Sequence, residues 1–191
     1  MFRNNLELIL GPVCSGKSAE LLRRIDRYKI AGYNVLLVKP RIDTRSKTVK
    51  SRNGAESKCV VLDKAEQVFD VVIEDVLKEN KQVSIVAFDE AQFFGDIYTV
   101  SKELLKRDFK VLVSGLDTDF NGEPFGDILK LVTLSDSITK LTAVCMKCKR
   151  DNAIYSQKLK VGGDIIEIGD LELYQPRCFG CFHPGGVQDE D

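Results

Sequence analysis

Apolar residues recur along the chain in two rhythms that alternate with one another. Leu6-Glu7-Leu8-Ile9-Leu10 is a mostly apolar run that predicts a strand. From Ala19 the spacing changes, and Leu21, Leu22, Ile25 and Tyr28 mark one side of a helix that ends near Ala31-Gly32. Val35-Leu36-Leu37-Val38 is a continuous apolar run, as expected of a strand buried on both faces of a parallel sheet. Residues 39–58 are polar and carry seven Lys or Arg, which predicts a long loop with a small excursion of the chain. Cys59 to Leu62 predicts a short strand. Asp63 can cap a helix over 64–79, with Val68, Val71, Val72 and Val76 along it. Val83 to Phe88 predicts a strand, Ile97 to Arg107 a helix, and Val111 to Val113 another strand. Gly115 to Gly126 predicts a loop, Ile128 to Val132 a short helix, and Lys140 to Val144 a last strand.

Strands alternating with helices imply an α/β fold, a mostly parallel sheet flanked by helices on both faces. Ligands of such sheets bind beyond the carboxyl ends of the strands. The alternation stops near residue 144. The expected organisation is therefore an α/β domain over 1–144, a smaller unit over 145–182, and a short polar tail over 183–191. No internal repeat or low-complexity tract interrupts this order.

The first strand and helix enclose Gly11-Pro12-Val13-Cys14-Ser15-Gly16-Lys17-Ser18, which fits G-x-x-x-x-G-K-[ST]. Strand, glycine-bounded loop and helix together are what a phosphate-binding loop requires. Gly11 and Gly16 permit backbone angles that a side chain would hinder. Successive N–H groups then face a phosphate at the positive end of the helix. Lys17 reaches the outer phosphates, and the Ser18 hydroxyl can ligate Mg²⁺. Asp89-Glu90 ends an apolar strand. One carboxylate there can support the Mg²⁺ shell of a nucleoside triphosphate, and the other can take a proton from a hydroxyl or a water.

Composition adds little until the cysteines are considered. Of 191 residues, 28 are Lys or Arg and 29 Asp or Glu, so the formal charge is −1 and gives no general attraction to nucleic acid or anionic membranes. No apolar run approaches the ~18 residues of a membrane span. No signal-peptide core follows Met1, and a cytoplasmic location is the expectation. Four of the six cysteines form two C-x-x-C pairs, Cys145/Cys148 and Cys178/Cys181, separated by 29 residues. Two such pairs can complete a tetrahedral, structural Zn²⁺ site, a better fit than disulfides in a chain of this kind. His183, the single histidine, is expected at the surface. Phe93, Phe94, Phe120 and Phe125 fall near the strand ends, where one of them can stack on a nucleobase. Arg41, Arg45 and Arg52 lie in the long loop, from which an arginine can offset phosphate charge.

Taken in order, several stretches resemble the thymidine kinases shared by vertebrate cytosol, bacteria and large DNA viruses. They are the phosphate loop at 11–18, Asp43-Thr44-Arg45, Phe88-Asp89-Glu90-Ala91-Gln92-Phe93-Phe94, Gly115-Leu116-Asp117 with Phe120 and Pro124-Phe125-Gly126, Lys140 to Cys145, and Tyr174 ahead of the second cysteine pair. The resemblance implies a RecA-like nucleotide-binding domain with a zinc-pinned lasso. It implies that ATP–Mg²⁺ is held by the phosphate loop with Asp89 and Gln92, that Glu90 accepts the proton of the 5′-hydroxyl, and that Arg45 stands by the transferring phosphate. Phe93, Leu116, Phe120 and Phe125 would line the base pocket. Ile165, Ile166, Glu167, Ile168 and Gly169 would meet the base through their backbone, helped by Ser156 and Tyr174. Homotetramers and feedback inhibition by thymidine triphosphate (dTTP) are further traits of that class. Cys14 replaces a large aromatic, Arg52 a frequent histidine, and Glu167 a usually apolar residue. The rival readings are a phosphate-loop ATPase that activates water, and a zinc-stabilised nucleotide- or nucleic-acid-binding module.

Overall fold

The strand register decides where the loops end up. The computed structural model describes residues 6–43, 48–50, 54–79, 82–159 and 173–183. Six strands form one sheet: β1 (Leu6–Leu10), β2 (Val35–Pro40), β5 (Val60–Leu62), β6 (Ile85–Phe88), β7 (Lys110–Gly115) and β8 (Ser137–Lys140). Their spatial order is β5-β2-β6-β7-β1-β8, and every pairing is parallel. Leu10 lies between Gly115 and Lys140, and Phe88 lies between Val38 and Val113. The segments that follow β1, β6, β7 and β8 therefore leave the sheet on one edge.

Alternation along the strands builds two cores. Leu6, Leu8 and Leu10 face one way with Val38, Val86, Phe88, Val111 and Val113. They are covered by α2 (Val68–Glu79), α3 (Ile97–Lys106) and the 3₁₀ segment Ile128–Leu134. Ile9, Leu37, Ile85, Ala87 and Leu112 face the other way, onto Leu21, Leu22 and Ile25 of α1 (Lys17–Ile30). Helices thus flank both faces, as the alternation predicts.

Two readings of the sequence need correction. Residues 39–58 are not all loop: β3 (Thr48–Lys50) and β4 (Glu56–Lys58) form an antiparallel hairpin. Val49 buries there against the α1 side of the sheet. A single apolar anchor in a polar stretch gave no periodic signal. The run from Lys140 to Val144 is not one strand. β8 ends at Lys140, and β9 (Ala143–Val144) pairs instead with β10 (Asn152–Ala153). Leu141 between them donates its N–H to Leu10 O at 2.8 Å. As an exposed edge strand with one apolar residue, Ile138, β8 lacks the buried run that marks the central strands.

Beyond β10, β11 (Tyr155–Lys158) pairs antiparallel with β12 (Tyr174–Arg177), and a short helix α4 (Phe179–Phe182) follows. Tyr155 stacks on Phe182 with ring centroids 4.3 Å apart. Gly122, in the loop after β7, sits under both rings, so that a Cβ there would approach Phe182 Cε1 to 3.1 Å.

The α1 side of the sheet also carries an ionic network. Glu7 accepts from Arg24 Nη1 at 2.8 Å and from Tyr28 OH at 2.6 Å, and pairs with Lys110 Nζ at 2.8 Å. Burial raises the Glu7 carboxyl, but the hydrogen bonds from Lys110, Tyr28 and Arg24 outweigh it and leave the group below its ordinary range. Because the folded value is depressed, this stabilisation is present above the unfolded value of 4.5 and is lost as acid is added through the folded one. Glu7→Ala is expected to cost about 1.5–3 kcal/mol, the scale of hydrogen bonds to a charged group, since Arg24 keeps Glu20 as a partner. Urea unfolding at neutral pH measures the loss, and Glu7→Ala should also flatten the acid limb of the stability curve.

Candidate active site

The phosphate loop takes its shape from two glycines and one strained residue. Gly11 has φ 150°, and a Cβ there would meet Leu141 O at 2.5 Å. Gly16, at φ 88°, caps α1, and Glu20 N–H bonds back to its carbonyl at 3.0 Å. Between them Cys14 adopts φ 64°, a left-handed conformation that costs a side-chain-bearing residue about 1–2 kcal/mol. Pro12 O collects Lys17 Nζ at 2.8 Å and Ser15 Oγ at 2.8 Å. Val13 N–H donates to Ser156 Oγ of β11 at 3.0 Å.

Asp89 arrives opposite this loop because β6 ends at Phe88 and Asp89 N–H closes on Val38 O at 2.9 Å. The Ser18 hydroxyl donates to Asp89 Oδ2 at 3.1 Å. Burial pushes the Asp89 carboxyl up to about 7, and the negative charge of Glu90 adds to that rise. Hydroxyls of Ser114 and Ser18 and the charge of Lys17 pull the other way. Burial lowers the Lys17 ammonium, while Glu90, Asp89 and Asp117 work to keep it charged. One buried cation thus sits among three carboxylates. Ser18 and Asp89 offer the hard oxygen donors that Mg²⁺ prefers, and both lie beside the loop that the phosphates would enter.

Glu90 stands at φ 50°, which turns its side chain out of the strand direction. Gln92 fixes it, donating from Nε2 to Glu90 Oε2 at 2.7 Å and accepting Leu116 N–H on Oε1 at 3.0 Å. Gly115 leaves the space for that amide: a Cβ at 115 would lie 2.5 Å from Gln92 Oε1. Phe93 meets Phe125 edge-on at 5.5 Å, and Lys158 Nζ lies 5.3 Å from the centre of the Phe120 ring. Phe93, Leu116, Phe120 and Phe125 are all half-buried, at the carboxyl edge of the sheet. Phe94 instead is buried in the core against Phe88. Pairing in the β11–β12 hairpin puts Ser156, Lys158 and Tyr174 on one face. Arg45, Arg52, Ile165, Ile166, Glu167, Ile168 and Gly169 lie outside the described residues.

Two charged pairs at this edge escaped the sequence reading. Asp117 is buried and takes Lys140 Nζ on Oδ2 at 2.6 Å, while its Oδ1 has no hydrogen-bond partner among the described residues. Lys39, with 2% of its surface exposed, pairs with Asp43 at 3.5 Å. The available signal was positional, since Lys39 lies in β2 with Asp43 shortly beyond it, and Asp117 lies just beyond β7.

The two cysteine pairs converge. The sulfurs of Cys145, Cys148, Cys178 and Cys181 all lie within 4.8 Å of one another, with Cys148 and Cys178 at 3.9 Å. Four thiolates at ~2.3 Å from a tetrahedral zinc stand roughly 3.8 Å apart, so the cluster fits a metal of that size and softness. Burial raises the Cys145 thiol, but backbone N–H groups of Cys178, Cys148 and Lys147 outweigh it and bring the thiol down to about 6. Burial and the neighbouring thiols push Cys181 up to about 12. Several thiolates cannot share so small a space without a cation, and a dication would remove that conflict. Cys14 packs against the core of this unit, formed by Ala143, Cys145, Ala153 and Cys178. His183 is exposed and rests on aromatic rings, outside the sulfur cluster.

Comparison with known proteins agrees with this geometry. Residues 4–182 match the family described as Thymidine kinase. A thymidine kinase of Ureaplasma parvum serovar 3 is 40% identical over 182 residues, covering 91% of this chain and 80% of that protein. One from Mycoplasma genitalium is 40% identical over 177 residues, covering 90% and 80%. The cytosolic thymidine kinase of Bos taurus is 36% identical over 180 residues, covering 94% and 72%. Among solved structures, domain III of the Thermotoga maritima replication initiation protein DnaA gives a TM-score of 0.39 at 18% identity, over 73% of this chain and 55% of that one, too slight a likeness to argue from. The match across nearly the whole length, together with the converging loop, carboxylates and cysteines, means that the chain belongs to the thymidine kinase family.

Proposed function

We propose that the carboxyl edge of the sheet is where this thymidine kinase moves the γ-phosphate of ATP to the 5′-hydroxyl of thymidine, giving thymidine monophosphate in nucleotide salvage. The observation that carries the site is the convergence of Lys17 and Ser18 with Asp89 and Glu90. The backbone N–H groups of Cys14 to Ser18 receive the phosphates, with Gly11, Pro12 and Val13 forming the approach. Lys17 exchanges Pro12 O for a phosphate oxygen. Ser18 and Asp89 would hold Mg²⁺, which supplies charge neutralisation on the phosphates when bound, and Gln92 contributes to the donor side through its hold on Glu90. Glu90, oriented by Gln92, accepts the 5′-hydroxyl proton as that oxygen attacks in line. Arg45 stands by the developing charge. Such catalysis is mostly positioning and electrostatics.

The nucleoside side belongs to the same proposal. Phe93, Leu116, Phe120 and Phe125 enclose the base. Ser156, Tyr174 and the backbone of residues 165–169 close over it. The cysteine cluster would hold a structural Zn²⁺ that pins both ends of this lasso, so the chain divides into a nucleotide-binding part, 1–144, and a zinc-binding part, 145–182. Deoxyuridine as a second acceptor, feedback by dTTP, a homotetrameric assembly and a cytoplasmic location complete the reading. Among the described residues no helix is long and apolar enough to cross a membrane.

Glu90→Gln keeps the shape of the side chain but removes the base. It is expected to lower kcat by roughly 10²–10⁴-fold while ATP still binds, as steady-state kinetics and calorimetry would show. Phosphorylation within a few-fold of the original would dismiss Glu90 as the base. Metal analysis of freshly reduced protein should find one zinc per chain, and Cys178→Ser should lose it together with thermal stability. Protein that is free of zinc yet equally stable would exclude the metal site.

A further inference from the structure

A phosphate loop works by pointing its N–H groups at an anion, yet Val13 points its N–H elsewhere. It donates to Ser156 Oγ, 143 residues further along the chain. Ser156 is 2% exposed, so this bond is shielded from competing water. The residue before it, Pro12, has no N–H to offer. The residue after it, Cys14, is left-handed at φ 64° and packs against Ala143, Cys145, Ala153 and Cys178. The apex of the loop is therefore gripped from outside by the cysteine-bearing unit, through one hydrogen bond and one apolar contact.

The grip from inside is of another kind. Pro12 O is held by Lys17 Nζ and Ser15 Oγ, both at 2.8 Å. Lys17 must leave that carbonyl to serve a phosphate. The bond between Val13 and Ser156 involves no group that the phosphates need. It can persist through nucleotide binding and hold the strained apex while the internal contact is exchanged.

We propose that Ser156 is a positioning residue for the donor nucleotide: its hydroxyl fixes the Val13 amide and thereby the curvature that aims the N–H groups of Cys14 to Ser18. This goes beyond the nucleoside contact given to Ser156 above and rests on the placement of ATP at the phosphate loop. It also means that the donor and acceptor sides are not independent walls, since a residue of the lasso hairpin shapes the donor site.

The test compares Ser156→Ala, Ser156→Thr and Ser156→Val in the full-length chain. Threonine and valine have nearly the same shape and differ in the hydroxyl, so their comparison stands even if alanine loosens the fold. The expected result is a KM for ATP raised about three- to tenfold in the alanine and valine variants and restored in threonine, the scale of one lost hydrogen bond. Calorimetry with ATP–Mg²⁺ in the absence of thymidine should show the same weakening. The KM for thymidine should rise by a smaller factor than that for ATP, since the nucleoside contact given to Ser156 above is one of several around the base. A thymidine KM that rises as much as that for ATP, or more, would overturn the proposal and leave Ser156 as a nucleoside contact. ATP affinity unchanged or tightened in the valine variant would overturn it as well. Loss of phosphorylation at saturating ATP and thymidine in the threonine variant, which keeps the hydroxyl, would overturn the placement of ATP and thymidine on which the proposal rests.

Discussion

Lys17 is a buried ammonium that Pro12 O and its carboxylate neighbours make tolerable. Burial draws its ammonium below the ordinary lysine range, and Glu90, Asp89 and Asp117 offset part of that fall. Those three acids come from the ends of two neighbouring strands, β6 and β7, and the lysine from the start of α1. The parallel register that sets Leu10 beside Gly115, and Phe88 beside Val113, brings them within reach of one another. A shift of one residue in either strand would turn these side chains to the opposite face. Burial holds Asp89 up to about 7, and the neighbouring charge of Glu90 adds to that rise. Such a site is poised for a ligand that brings phosphate charge and a divalent cation together, since each relieves one half of the imbalance.

The cysteine cluster solves a separate problem in the same way. Its sulfurs lie closer than several thiolates tolerate in the absence of a cation, and Cys145 and Cys181 are pushed to opposite extremes, about 6 and about 12. Among the described residues the core around it is small. Ala143, Cys145, Ala153 and Cys178 make it up, and Cys14 is the piece borrowed from the phosphate loop. The aromatic stack of Tyr155 and Phe182 over Gly122 provides a second attachment to the main sheet. Cys14 is half-buried, and its side chain joins the phosphate loop to that small core.

Much of this was legible in the chain because its causes are local. The central strands are unbroken apolar runs, the loop at 11–18 has its glycines where positive φ is needed, and the cysteine pairs have metal spacing. What escaped was set by tertiary context. β8 pairs with β1 through backbone bonds that its polar side chains do not announce. Val49 is the described residue by which the β3–β4 hairpin joins the buried core. Lys39 and Asp117 are charged residues that a reading by polarity places in solvent, yet each is buried beside an opposite charge. The bond from Val13 to Ser156 joins positions that no spacing rule connects. Phe94 shows the converse, an aromatic near the site whose ring belongs to the core.

The central claim is that this edge of the sheet transfers phosphate to a nucleoside and does not spend it on water. The most direct measurement follows ADP and nucleoside monophosphate together, in the full-length protein with ATP and Mg²⁺, with and without thymidine. The account predicts one thymidine 5′-monophosphate for each ADP, and almost no ADP when thymidine is withheld. ADP released at the same rate without thymidine, or released without a matching 5′-monophosphate, would contradict it.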